Sequence, residues 1–408
     1  MKYTLTIMTV FILCFLEMNA QFYNDGALVT IQPDALLHIQ GDFINQGGEI
    51  TNEGLIELGG DWVNTVMTPP LTPNAGTVSL QGDDQSIGGD FPTLFHNVSV
   101  DQAQNITLTS SIGIGNSIEL NDGIITLDRN VLHLLSPEPE ALTFNEGGVI
   151  AETSDNYGFV RWDLAETAPN SYTIPFINSL GNSVPLSYEL QGTGVGDLGF
   201  LLFSTYGSEE DNSPLPIGVT NLNVPDDNTG LTLVDRFYVV ESMDYTTSPT
   251  GSVTLSYDET SEIGGNNTIA IDRLETLIWD TLDGWMSFNQ NTTTNNSVQT
   301  VIDTQYGTYT LWSNTSTSVN DFQELEGFGV YPNPTTSVAT AEYIAPVTEK
   351  ASLSIINSVG KKIFNQSVQL TDGEMKKIEL DLSDQPDGLY HIHIESESLR
   401  SSKMIIKQ

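Results

Sequence analysis

Residues 106–134 read ITLTSSIGIGNSIELNDGIITLDRNVLHL, and this stretch decides the fold. Its apolar residues recur as pairs separated by one residue, and successive pairs begin 6, 6, 7 and 7 residues apart. The pairs are Ile106/Leu108, Ile112/Ile114, Ile118/Leu120, Ile125/Leu127 and Leu132/Leu134. Such steps hold a short strand and a bend, whereas strands joined by hairpins are spaced about 8–12 residues apart. The spacing predicts a β-solenoid with three faces in each coil of about 19 residues.

A repeat farther upstream indicates the same coil length. Ile39-Gln-Gly-Asp-Phe-Ile-Asn45 recurs as Leu58-Gly-Gly-Asp-Trp-Val-Asn64, a shift of 19 residues. Successive coils of a solenoid stack equivalent positions as parallel strands with Ile and Leu inside. We predict a parallel β-helix-like solenoid over residues 21–165, with about six coils over 22–135, or ~29 Å at ~4.8 Å per strand. Pro69, Pro70 and Pro73 would form an extruded loop. An irregular β-sandwich is the alternative.

Residues 166–318 have longer alternating runs, which predict an antiparallel β-sandwich. The runs are 200–206, 231–240, 252–257, 274–279, 285–288 and 308–312. Asp283-Gly284, between Trp279 and Trp285, is a hairpin turn signal. The polar residues 313–325 (SNTSTSVNDFQEL) read as a linker, of which 319–325 separate the sandwich from a last domain at 326–408.

Charge is distributed very unevenly along the 408 residues, whose formal net charge is −40. Residues 326–408 carry 8 Lys/Arg against 11 Asp/Glu, a balance of −3, while residues 1–325 carry 5 against 42, a balance of −37. Binding to nucleic acid requires Lys and Arg to displace the counterions of the phosphates. The composition therefore excludes nucleic acid as a partner.

The N-terminus has the features of a signal peptide. Lys2 is followed by an apolar run from Leu5 to Leu16, and Ala20 precedes Gln21. The run is shorter than the ~20 apolar residues of a membrane-spanning helix. We predict export with removal of residues 1–20 between Ala20 and Gln21. Since Cys14 is the only cysteine, the mature chain would have no disulfide, thiol catalysis or cysteine metal site.

Two motifs suggest a ligand but each has a plainer structural interpretation. Gly194-Val-Gly196-Asp-Leu-Gly199 fits the dinucleotide-binding pattern, but a strand-like run follows where that pattern needs a helix. We predict a loop. His391 and His393 would point to one face of a strand. They are either polar residues of that face or a metal pair that lacks a third ligand.

Acidic and aromatic pairs leave similar alternatives open. Glu209-Glu-Asp211 and Asp226-Asp227 are either solvated acidic loops or Ca²⁺ sites, although neither has the spacing of a dedicated calcium loop. Trp279 and Trp285 form either a sugar platform or a cross-strand packing pair. The sequence contains no Ser/His/Asp constellation, nucleophile elbow or zinc motif. We predict no catalytic residue, no metal site and no cofactor.

Residues 326–408 resemble the type A C-terminal sorting domain of type IX (Por) secretion substrates. The matching segments are Gly329-Val-Tyr331-Pro332-Asn333-Pro334, Ala351–Gly360 with Lys361 and Lys362, Ile378–Ser383, Pro386-Asp-Gly388-Leu389-Tyr390 and Lys403-Met-Ile-Ile-Lys407. They stand in the order of the family. Asp387 departs from the pattern, since the family more often has Ser or Ala before this glycine.

The resemblance implies an export signal that the type IX secretion machinery recognises at the outer membrane of a Gram-negative bacterium. It further implies a sortase-like protease that removes the domain, after which the remainder is released or linked to lipopolysaccharide. Alternation and turn residues alone predict a small Ig-like antiparallel β-domain here. Gly76–Gly82 and Phe95–Val100 resemble repeated segments of large surface proteins.

Together these observations predict an all-β protein that is secreted or held on the outer cell surface. Its order is signal peptide (1–20), β-solenoid (21–165), β-sandwich (166–318), linker (319–325) and C-terminal Ig-like sorting domain (326–408). We expect residues 21–318, here called the passenger, to be structural or adhesin-like and not an enzyme. One alternative is a module that binds polysaccharide, with an extracellular glycan as partner. Another is a carbohydrate-active enzyme on the solenoid, a polysaccharide lyase or a glycosidase, which needs an open groove with paired carboxylates or a basic residue near bound Ca²⁺.

Overall fold

The computed structural model describes residues 20–67, 71–73, 75–101, 105–153, 156–222, 233–263, 269, 271–281, 284–287, 291–294, 296–303, 305–313, 326–345, 348–357, 361–396 and 399–408. Several predicted features lie outside these residues: most of the signal peptide, Pro69 and Pro70, Asp226-Asp227, linker residues 314–325, and Gly360. The chain divides into two compact units, Met1–Asn314 and Thr315–Gln408. The described residues include no helix long and apolar enough to cross a membrane.

Short strands that pair with one another in parallel build the first half of the larger unit. In chain order they are β1 (Phe22–Ile31), β2 (Leu36–Ile39), β3 (Phe43–Asn52), β4 (Leu55–Leu58), β5 (Trp62–Asn64), β6 (Leu71–Pro73), β7 (Thr77–Leu80), β8 (Gln85–Gly89), β9 (Thr93–Val100), β10 (Asn105–Leu108), β11 (Ile112–Leu120), β12 (Ile124–Thr126), β13 (Val131–Leu134), β14 (Leu142–Phe144), β15 (Gly148–Ile150) and β16 (Phe159–Asp163). A 3-10 helix, Pro139–Ala141, precedes β14.

These strands form the predicted solenoid, with three faces in each coil. On the first face, β10 pairs with β12, and β12 pairs with β15. On the second face, the start of β11 pairs with β13. On the third face, the end of β11 pairs with β14. A register shift between Ile114 and Ser117 bends β11, so that one strand serves two faces. The predicted 19-residue repeat is in register, because Ile39 lies opposite Leu58 and Phe43 opposite Trp62.

Ile112, Ile118 and Ile125 lie on the second, third and first faces of the coil, and all three point into the common core. The stacked neighbours are Ile106 with Ile125 and Ile112 with Leu132. The prediction for Pro73 was wrong, because Pro73 lies opposite Asn52 at the end of β6 and therefore belongs to a strand rather than to an extruded loop.

The second half of the larger unit is the predicted antiparallel β-sandwich. Its strands are β17 (Ser171–Ile174), β18 (Leu186–Gly192), β19 (Phe200–Gly207), β20 (Leu233–Met243), β21 (Thr250–Ser256), β22 (Leu274–Asp280), β23 (Gly284–Ser287), β24 (Asn291–Thr294), β25 (Ser297–Asp303) and β26 (Gly307–Ser313), with a 3-10 helix at Ile271–Arg273. One sheet has the order β17-β18-β21-β25-β24, and the other runs β16-β19-β20-β26-β22-β23. Tyr188 and Phe203 pack across the two sheets with ring centroids 6.0 Å apart.

Strand β16 joins the solenoid to the sandwich. It pairs in parallel with β13 and antiparallel with β19, so that Val160 lies between Leu132 and Phe203. The solenoid and the sandwich therefore share one continuous core and one sheet, which has 13 strands among the described residues.

In the smaller unit, the described residues form seven strands in two antiparallel sheets. They are β27 (Glu326–Tyr331), β28 (Val338–Ile344), β29 (Lys350–Asn357), β30 (Lys362–Gln369), β31 (Met375–Asp381), β32 (Gly388–Glu395) and β33 (Arg400–Lys407). The sheet orders are β27-β28-β31 and β30-β29-β32-β33, and the core between them includes Leu353, Ile355 and Ile392. This is the predicted Ig-like sandwich, with a core separate from that of the larger unit.

Candidate functional site

The first and last segments of the predicted sorting motif meet along β33. The side chain of Asn333 donates a hydrogen bond from Nδ2 to the carbonyl of Met404 at 2.9 Å and accepts one from the N–H of Ile406 at 3.0 Å. Thr335 extends this contact, since its N–H donates to the carbonyl of Ile406 at 2.8 Å and its carbonyl accepts from the N–H of Gln408 at 2.9 Å. Pro332 and Pro334 flank Asn333, so the proline-rich turn is held against the last strand.

The two lysines that close the motif have different environments. Lys403 is exposed, whereas the side chain of Lys407 is only 9% exposed. Its Nζ lies 3.0 Å from the carboxylate of Asp387, which itself is largely exposed. Asp387 is the residue that departs from the family pattern, and in this chain it supplies the partner of a buried ammonium group. An unpaired charge at that position would be costly to bury.

Two tyrosines of the motif make hydrogen bonds through their hydroxyl groups. Tyr390 is buried at the start of β32, and its hydroxyl donates to the carbonyl of Pro386 at 2.6 Å. A tyrosine that hydrogen-bonds a backbone carbonyl just upstream is a known feature of Ig-like sandwiches. Tyr331 is half exposed, and its hydroxyl contacts Glu342 and Lys377. Gly388 and Leu389, the first two residues of β32, pair with Lys407 and Ile406 of β33.

The residues that could alternatively have bound a metal lie in a strand and in a tight turn. His391 and His393 lie on one face of β32 with ring centroids 6.1 Å apart, as the two-residue period predicts. In Glu209-Glu-Asp211, the carboxylate of Asp211 accepts a hydrogen bond from the N–H of Ser213 within a tight turn. Within the described part of the chain, no three His, Cys, Asp or Glu side chains are arranged as a metal site.

The glycine motif and the tryptophan pair have packing roles. Gly194 and Gly199 leave room for Tyr245, because a Cβ on Gly199 would lie 2.1 Å from its ring. A strand, β19, follows this loop, as predicted. Trp279 and Trp285 lie directly opposite each other in the β22–β23 hairpin, with rings 5.3 Å apart in an edge-to-face arrangement. Trp285 is only 4% exposed and Trp279 is partly buried, so the two rings pack across the strands, as the packing interpretation predicts.

A buried ion network was not predicted from the sequence. The guanidinium of Arg236 lies between Glu262, whose Oε1 is 2.6 Å from Nη2, and Glu152, whose Oε2 is 3.0 Å from Nη1. Burial by itself lowers the pKa of Arg236, but the hydrogen bonds and charges of the two glutamates outweigh it and raise that pKa. Nη1 also donates to Thr205 at 2.8 Å. The network joins the end of the solenoid to the sandwich and keeps every charge paired.

Asp235 stands beside this network on the wall of a cavity of about 530 Å³. It is 5% exposed, and no side chain in the described ranges donates a hydrogen bond to its carboxylate. Burial raises its pKa to about 7, helped by the negative charges of Glu210, Glu262, Asp211 and Glu209. Asp235 is therefore largely protonated below neutral pH.

Comparison with known proteins supports the C-terminal assignment. Residues 329–408 match the family described as the secretion system C-terminal sorting domain. No curated protein shows significant similarity to the chain. The matched residues contain the whole motif from Tyr331 to Lys407, including the Asn333 contact and the Asp387–Lys407 ion pair.

Proposed function

We propose that this substrate of the type IX secretion system carries a structural and adhesive passenger on its route to the cell surface. The C-terminal sorting domain indicates that the chain is exported, either to the cell surface or into the medium, and that it interacts with the type IX secretion machinery. What the passenger does after export is our inference from its construction.

The sheet that the solenoid and the sandwich share is the observation that carries this proposal. A scaffold whose solenoid and sandwich are hydrogen-bonded through β16 suits a module that has to stay folded outside the cell. Residues 1–325 have a net charge of −37, which would keep such a module soluble and would repel anionic surfaces. Adhesion to a matrix would then depend on the outward faces of the strands.

We further propose the processing steps that the family resemblance implies. A signal peptidase would remove residues 1–20, and a sortase-like protease would cut near the polar residues 314–325, which lie between β26 and β27. The two compact units have separate cores, so cleavage there would leave the passenger folded. Mass spectrometry of surface and medium fractions would find a chain that begins at Gln21, ends before Glu326 and is either free or linked to lipopolysaccharide.

The proposal includes the absence of enzymatic activity in the passenger. The polysaccharide-binding alternative receives no support from Trp279 and Trp285, because they pack against each other and donate to the carbonyls of Gly218 and Asn221. Incubating purified passenger with a panel of polysaccharides, followed by reducing-end analysis, would reveal a hydrolase or lyase and would contradict this part of the proposal.

Cell attachment tests the adhesive role directly. Cells producing the full chain should attach to a matrix-coated surface more strongly than cells exporting a fluorescent protein on the same sorting domain. Surface display of both proteins is measured by antibody on intact cells. Equal attachment at equal display would show that the passenger is not adhesive and would leave the export assignment intact.

A further inference from the structure

A trough crosses the outer surface of the solenoid where it meets the sandwich. Strands β9, β11, β13, β16 and β19 are adjacent, and their outward positions are in register. The resulting row is Leu94, Gly113, His133, Arg161 and Leu202. The residue in the row without a side chain is Gly113, so the surface dips at β11.

The floor and walls of this trough are mainly apolar. Gly113 forms the floor with Ser111, and the walls include Leu94, Leu135 and Val131. The space measures about 610 Å³, within the usual range of about 300–1,000 Å³ for small-molecule sites. A Cβ on Gly113 would lie 2.8 Å from Cδ1 of Leu94 and 3.3 Å from Cδ1 of Leu135. Any side chain at 113 would therefore fill the space between the two leucines.

A fixed guanidinium stands at one end of the trough. The Cζ of Arg161 lies 3.6 Å above the ring of Phe200, and its Nε donates to Oδ1 of Asp163 at 2.8 Å. The other carboxylate oxygen of Asp163 is hydrogen-bonded to Nε2 of His133 at 2.7 Å. Asp163 is thus shared between two partners, and its pKa is lowered because these hydrogen bonds outweigh the effect of burial.

The Nη1 and Nη2 atoms of Arg161 can still donate hydrogen bonds to a ligand. No described residue accepts a hydrogen bond from Nη1 or Nη2 of Arg161, and the stacking on Phe200 already holds the group in place. Two parallel N–H groups on a planar guanidinium match the two oxygens of a carboxylate. Since residues 1–325 contain only 5 basic residues against 42 acidic ones, a cation beside an apolar trough is a specific feature of this surface.

We propose that the trough binds a small amphipathic carboxylate. Its carboxylate would take the Nη edge of Arg161, and its aliphatic chain would lie over Gly113 between Leu94 and Leu135. The apolar walls disfavour a fully hydroxylated sugar, and the preordered guanidinium favours an anion over a neutral molecule. This inference does not depend on the adhesive role proposed above.

Calorimetric titration of the purified full chain with octanoate, and separately with 1-octanol, tests both halves of the site. Octanoate should bind saturably and at least roughly tenfold more tightly than 1-octanol, as expected for a charge-assisted hydrogen-bonded pair. Arg161→Gln should remove that preference while leaving the binding of 1-octanol unchanged. Gly113→Val should weaken both ligands, because it fills the floor. Neither change touches the core, and circular dichroism checks that each variant is folded.

Arg129→Gln provides the matched control. Arg129 is an exposed arginine of the same solenoid, and its replacement removes the same charge outside the trough. It should leave the octanoate affinity unchanged. The proposal is overturned if wild-type chain shows no saturable octanoate binding, if octanoate and 1-octanol bind equally, or if Arg129→Gln weakens octanoate as much as Arg161→Gln does. Binding of a peptide through its C-terminal carboxylate, with no binding of octanoate, would also overturn it.

Discussion

Ile118 and Glu119 are neighbours on β11 that face opposite sides of the same sheet. Ile118 is fully buried in the solenoid core, while Glu119 is exposed. Ile118→Asp places an unpaired charge in that core and should lower the free energy of unfolding by more than about 4 kcal/mol. Glu119→Lys should change it by less than about 0.5 kcal/mol. Urea denaturation followed by circular dichroism measures both, and equal sensitivity would contradict the inward and outward assignment.

The raised pKa of Asp235 predicts that the free energy of unfolding decreases as the pH rises. Its pKa is about 7 in the folded state, against 3.8 for an ordinary aspartate. The folded chain therefore binds one more proton than the unfolded chain between these values, and it loses stability as pH rises through this window. Asp235→Asn removes this titration. The free energy of unfolding of the variant, relative to that of wild type, should therefore increase from pH 4 to pH 7 and stay constant above pH 7.

Urea midpoints for wild type and Asp235→Asn at several pH values provide the measurement. Asp258→Asn is the control with the opposite sign, because hydrogen bonds from Ser261 lower the pKa of Asp258 in spite of burial. That variant should be less stable than wild type at neutral pH. A constant difference between Asp235→Asn and wild type from pH 4 to pH 8 would contradict the raised pKa.

Residue-scale prediction succeeded where the information is local and failed where it is not. The alternation around Ile118 distinguishes buried from exposed positions because the period of a strand is two. Arg236 lies 26 residues from Glu262 and 84 from Glu152 along the chain, so no local pattern reveals the network. The sequence shows only an arginine within the apolar run of β20, which marks a charge that needs a buried partner.

At the scale of the element, β16 should couple the stability of the solenoid and the sandwich. Val160→Pro removes an N–H from a strand that is paired on both edges, and proline is tolerated mainly at sheet edges. Hydrogen-exchange mass spectrometry should show lost protection in β13 and also in β19. Thr292→Pro, on the edge strand β24, should affect only β25 beside it. Loss confined to one neighbour of β16 would mean that the two halves fold independently.

The strands themselves were largely predictable, but the junction was not. Steps of six and seven residues and the 19-residue repeat are enough to identify the solenoid coil, because equivalent positions must stack. Residues 159–163 alternate in the same way whether a neighbouring strand is parallel or antiparallel. The sequence therefore could not show that β16 belongs to both halves. The sequence predicts a bend after Ile114 but could not show that one strand, β11, continues through it, since glycine and asparagine suit a turn and a bend equally.

At the scale of the whole molecule, the sorting domain should act on unrelated cargo. Residues 315–408 form a compact unit with its own core, and such units commonly fold alone. A periplasm-targeted fluorescent protein fused to residues 313–408 should therefore reach the outside of a type IX-competent cell. The same fusion without Ser401–Gln408 should stay inside, because it lacks nearly all of β33, which pairs with β32 and holds Asn333.

Point variants of the fluorescent fusion distinguish a sorting domain that fails to fold from a folded domain that the secretion machinery no longer recognises. Lys403 is an exposed lysine of the motif, and Lys350 is an exposed lysine outside it, so neither side chain supports the core. Lys403→Ala should reduce export because the secretion machinery can read only what the surface presents, while Lys350→Ala should leave export unchanged. Fluorescence of the cell-free medium and protease accessibility on intact cells give the exported fraction. Equal export by both variants would place recognition elsewhere on the domain. Export from a strain without the secretion system, or retention of every fusion in the periplasm, would contradict the sorting role itself.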